Sequence, residues 1–172
     1  MRFLPALAVV VAAALAACTP TYNWRDARFP EAGLVALLPC KPDQGRREVS
    51  LGERPAIVSM QGCEAGGALF AVAWADAGEP AQAPRLLAQW RASTLANANA
   101  QSVADHAFTP TGAQAVPGGG RIVAEGRSPQ GEPLQMQAAW FVRGRHVFQA
   151  VIYAPRLPEA VAEPFFSGLK LS

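Results

Sequence analysis

Apolar and polar positions change period several times along this chain, and each change marks an element. From Phe3 to Ala17, fifteen residues pass without a charged or polar side chain. A helix needs about 20 such residues to cross a hydrocarbon core of about 30 Å, so this run is short for a span and suits the core of an export signal. The chain then turns polar from Thr19 to Arg28, with Tyr22 and Trp24 as its large aromatic groups, which reads as a short tether. Gly33 to Leu38 is a continuous apolar run closed by Pro39, the pattern of a buried strand. Strands are predicted over Arg46 to Leu51 and Ala56 to Cys63, separated by turn residues. From Ala68 to Ala75, Phe70, Val72 and Trp74 alternate with small residues. That pattern predicts a strand with one face on the core and the other close to a neighbour.

The period changes to a helical one after Pro84, where a missing N–H costs nothing in the first turn. Leu87, Trp90, Thr94 and Ala98 fall on one stripe of a helix running from Arg85 to about Asn99. Alternation returns in residues 101–109, then over Arg121 to Gly126, Leu134 to Val142 and His146 to Tyr153, the last two joined by the tight turn Arg143-Gly144-Arg145. Glu159 to Ser167 has helical composition but contains Pro164, which predicts two short helical pieces or one helix starting at Pro164. Leu169-Lys170-Leu171 offers a last short strand. Short turns between strands, and no alternation of strand and helix, predict an α+β fold. Its largely antiparallel sheet is expected to carry the mid-chain helix and the C-terminal helix on one face.

The apolar leader ends Leu15-Ala16-Ala17-Cys18. This resembles the lipobox of bacterial lipoproteins. The resemblance implies cleavage before Cys18, diacylglycerol on its sulfur and an acyl group such as palmitate on the new amino group. The alternative is an ordinary secretory signal in which Cys18 is incidental. The lipoprotein reading divides the chain into a signal peptide at 1–17, a lipidated tether at 18–28 and a single α+β domain at 29–172. It makes the membrane a partner through the lipid on Cys18. Thr19, not Asp, follows the cysteine, which in such lipoproteins implies the outer membrane, facing the periplasm.

Composition narrows the function. Removing 1–17 leaves 155 of the 172 residues, enough for one domain with a real core, and takes the net charge from +2 to +1 because only Arg2 is lost. Such a balance leaves no electrostatic footprint for nucleic acid. The densest basic spots, Arg46-Arg47 and Arg143/Arg145, read as solvated turn or strand-edge residues. Setting Cys18 aside leaves Cys40 and Cys63, an even pair in an exported chain, which favours a disulfide over two free thiols. No C-x-x-C suggests exchange chemistry.

Ala36-Leu37-Leu38-Pro39-Cys40-Lys41-Pro42, a mid-chain helix, a hairpin around Gly144 and Phe165-Phe166-Ser167-Gly168-Leu169 follow one another in an order similar to that of PsbP-like α+β sandwiches. The resemblance implies a fold of that kind. Members of such a fold do different things, so it implies no activity.

No catalytic constellation, metal site or cofactor site is expected. His106 and His146 have no second ligand at metal spacing, Gly118-Gly119-Gly120 lacks the frame of a phosphate loop, and no Gly-x-Ser-x-Gly occurs. The expectation is a non-enzymatic interaction or assembly domain with an envelope protein partner. The alternative is a small-ligand module with a pocket between helix and sheet, lined by Trp90 and Trp140. An envelope enzyme is the third reading.

Overall fold

The computed structural model describes residues 20–172 apart from Glu53 and Pro158. The signal peptide expected at 1–17 and the lipidation expected at Cys18 fall outside the described residues. Ten strands and two α-helices follow in the order β1 (Arg25–Phe29), β2 (Leu34–Leu38), β3 (Asp43–Leu51), β4 (Arg54–Ala65), β5 (Ala68–Asp76), α1 (Ala83–Asn97), β6 (Ser102–His106), β7 (Gly120–Arg127), β8 (Pro133–Arg143), β9 (His146–Ala154), α2 (Glu159–Ser167) and β10 (Lys170–Leu171). The mostly antiparallel sheet with two helices agrees with the sequence reading.

The strands divide between two sheets. Seven run in the order β3-β4-β5-β9-β8-β7-β6, and three in the order β1-β2-β10. Every ladder between strands is antiparallel. The small sheet and α2 cover one face of the large sheet, where Leu34, Leu38, Phe165 and Phe166 meet Phe70, Val72, Phe148 and Ile152. The other face carries α1, whose Leu87 and Trp90 meet Ala71, Ala73, Ala138, Trp140 and Val151. The expectation that both helices share one face is therefore corrected. The reason is the period of two along β5, β8 and β9: consecutive residues feed opposite cores, and both faces of these central strands are apolar.

Two local expectations also change. Residues 25–28 belong to the fold rather than to a tether. β1 pairs with β2 from Arg25 opposite Leu38 to Phe29 opposite Leu34, burying Ala27 and Phe29. Tyr22 and Trp24 pack on the same core, with Trp24 edge-on to Phe70 at 6.5 Å between ring centres. The C-terminal helix is continuous through Pro164. Pro164 lies one turn from its start, so only one interior hydrogen bond is lost. Burial of Val161, Ala162, Phe165 and Phe166 on the small-sheet side offsets that loss.

The cysteine pair is a disulfide. Cys40, just after β2, bonds to Cys63 on β4, with Cα atoms 5.9 Å apart and a sequence separation of 23. It ties the small sheet to the large one.

Candidate functional site

The helix α1 buries Ala83, Leu87, Trp90 and Thr94, as its period requires. It does not lie flat along one pair of strands. Halfway along, Gln89 comes so close to the turn between β3 and β4 that a Cβ on Gly52 would overlap it. At its end, the Ala98 carbonyl accepts the Arg127 N–H of β7 at 2.9 Å. Strands β3 and β7 stand near opposite edges of the large sheet. The helix therefore crosses the sheet diagonally. Its C-terminal half moves away from β3 and β4, and a wedge opens between helix and sheet.

That wedge is a cleft of about 490 Å³, within the range of small-molecule sites. Its floor is Val58 and Met60 of β4, Ala71 and Ala73 of β5, and Val151 of β9. Trp90, Ser93, Thr94 and Asn97 of α1 form the roof, and Arg47 of β3 stands on the open side. Ala71 and Ala73 are the small residues of the bulky–small alternation in β5. The alternation is as expected, but its meaning is reversed: the alanines leave room instead of meeting a close neighbour.

One polar constellation is built into the cleft. The Thr94 hydroxyl donates to the Trp90 carbonyl at 2.9 Å and accepts from the Gln149 side-chain amide at 2.7 Å. Thr94 and Gln149 are 6% and 8% exposed. The Gln149 side-chain oxygen has no donor among the described residues, and the residue lines the cleft. Tyr153 lines it too, and burial raises its hydroxyl above the ordinary value of 10.0. The lining presents the Arg47 side chain and no carboxylate.

Of the two tryptophans expected to line a pocket between helix and sheet, Trp90 lines this cleft and Trp140 does not. Trp140 is fully buried in the core below α1, where the Arg91 guanidinium lies 5.8 Å from its ring centre. Its indole N–H meets no acceptor among the described residues. Sequence reasoning missed Gln149 and Tyr153, which alternate with core residues on β9 and carry no signal of their own. Arg46 and Arg47 are exposed on the edge strand β3, as expected, and the diagonal course of α1 puts Arg47 beside the cleft.

The remaining candidates are dispersed. His106 lies exposed on the edge strand β6, while His146 stands edge-on to Trp74 at 5.0 Å between ring centres. Asp76 is paired with Arg145 at 2.7 Å. No group of three or more His, Cys, Asp or Glu side chains gathers at metal-binding distance among the described residues. A second recess of about 510 Å³ lies on the opposite side of β3 and β4, beside Arg28, Glu31, Gln44 and Trp74. Gln61 at its base is already engaged, donating to the Arg28 carbonyl at 2.8 Å. The sequence matches no protein-family model and no curated protein.

Proposed function

We propose that this protein is a lipid-anchored envelope protein, without catalytic activity, whose domain holds a small apolar or amphiphilic ligand beneath α1. The observation that carries the reading is the cleft: about 490 Å³, apolar along its floor, with a few polar groups fixed in place. That is the composition of small-molecule sites, in which apolar surface supplies affinity and a few polar groups set orientation. It favours the ligand-binding alternative over the interaction domain first expected. The anchor rests on the likeness of Leu15-Ala16-Ala17-Cys18 to a lipobox, and Thr19 in place of Asp supports the periplasmic face of an outer membrane. Two or more acyl chains hold a protein stably where one does so only reversibly.

The test is an uncharged fluorescent dye that brightens in apolar surroundings, titrated against the folded protein. The expected result is saturable binding that Ala73→Phe, which fills the cleft, reduces at least tenfold without unfolding the domain. Equal binding by both forms overturns the reading.

The interaction-domain reading keeps one support. β3 and β6 are both edge strands of the large sheet, and neither has a partner on its outer side among the described residues. Cross-linking in intact envelopes from positions on β6 tests it, and recovery of the uncross-linked protein alone counts against an envelope protein partner.

A further inference from the structure

The cleft is not symmetric, and its open end can be located relative to the chain terminus. At the end of the sheet that carries the β4–β5 turn, Leu69 pairs with Tyr153. The C-terminal end of α1 sits at the same end, because Ala98 accepts the N–H of Arg127, which pairs with Pro133 at the start of β8. Here α1 has already left β3, and Leu69 on the rim is 39% exposed. At the other end the contact of Gln89 with the Gly52 turn closes the wedge.

Tyr22 marks where the N-terminal chain leaves. Its ring lies against Gly66 in the β4–β5 turn, so closely that a Cβ there would overlap its hydroxyl. Cys18 is four residues before Tyr22, a reach of at most about 14 Å when fully extended. The open end of the cleft and the chain leading to Cys18 are therefore at the same end of the domain. A domain held by that chain turns this end toward the bilayer.

Charge specifies the occupant further. Arg47, opposite Val58, stands on the open side with no ion-pair partner among the described residues, and no carboxylate lines the cleft. Arg46, opposite Ser59, faces the recess on the other side of the sheet. Asp43 and Glu48 of the same strand do not line it. An anionic group at the open side would meet the Arg47 guanidinium, while an alkyl chain covers Met60, Ala71 and Ala73 under Trp90. Guanidinium groups suit phosphate and carboxylate through bidentate hydrogen bonds.

We infer that the ligand is a single-chain anionic lipid taken from the bilayer to which the protein is held, its headgroup at Arg47 and its chain in the cleft. This rests on the ligand-binding reading above and adds the ligand's charge, its chain and its source.

The experiment uses the protein recovered from membranes and placed in phosphatidylcholine nanodiscs. Lysophosphatidylglycerol and lysophosphatidylcholine with the same brominated chain are added, and quenching of tryptophan fluorescence is read. Trp90→Phe isolates the signal from the cleft. Expected is saturable quenching of Trp90 at a concentration at least tenfold lower for the anionic lipid. In Arg47→Ala that preference disappears, while Arg47→Lys keeps part of it and Arg46→Ala, on the other face, keeps all of it. Circular dichroism checks that each variant is folded. Equal quenching by both lipids, indifferent to Arg47, overturns the anionic class and leaves the cleft as a site. Binding of the uncharged dye without quenching by either lipid overturns the lipid inference alone. Failure of dye and lipids together overturns both readings.

Discussion

At the scale of single residues, the cleft is held open by small side chains and polarised by a few buried groups. Ala71 and Ala73 keep the floor low, and Thr94 takes up one side of the Gln149 amide. Tyr153 gives this arrangement a pH signature. Its hydroxyl is raised by burial, which disfavours the phenolate. In the unfolded chain the proton leaves near pH 10, so above that pH the unfolded state binds fewer protons than the folded one. The stabilisation is complete below pH 10 and is lost as pH rises through the raised folded value. Denaturant unfolding between pH 8 and 11.5 should show a fall in stability above pH 10 that is shallower in Tyr153→Phe. Parallel curves for the two proteins would mean that burial does not raise this hydroxyl.

At the scale of elements, the placement of α1 decides whether a cleft exists. Its C-terminal end depends on close approach to β7 at Gly126. A Cβ at Gly126 would strike the Ala98 carbonyl oxygen, which is rigid backbone. Gly126→Ala should therefore push the end of α1 off the sheet, destabilise the domain by about 1–3 kcal/mol as overpacking does, and change the affinity for the uncharged dye. Urea unfolding and dye titration check both, and unchanged values in both would remove Gly126 as the anchor. The stripe Leu87-Trp90-Thr94 was legible because a helix buries every third or fourth residue. The strands β2, β4, β5, β7, β8 and β9 were legible because alternation or a continuous apolar run marks them. β1 was not legible: only Ala27 and Phe29 point inward among Arg25, Asp26 and Arg28, too few to stand out from a polar tether. Nor was the cleft. Alternation reports which residues share a face, but not how far the opposing layer stands from that face, and so Ala71 and Ala73 read as close packing.

At the scale of the molecule, the large sheet separates two cores with different tasks. One core joins the large sheet to the small sheet, α2 and the N-terminal chain; the other lies under α1 beside the cleft. The Cys40–Cys63 disulfide belongs to the first, since Cys63 shares the core of Phe70 and Phe148. Closing a loop with a separation of 23 residues stabilises by roughly 3–4 kcal/mol on the chain-entropy model. The pair Cys40→Ser/Cys63→Ser should lose about that much in denaturant unfolding. Because the cleft opens on the opposite face of the sheet, dye affinity measured well below the unfolding midpoint should stay within about twofold of the parent protein. Unchanged stability would mean that the disulfide does not brace the two sheets. Loss of dye binding in a folded variant would mean that the two faces are coupled through the sheet, and that the small sheet helps to set the course of α1 across the other side.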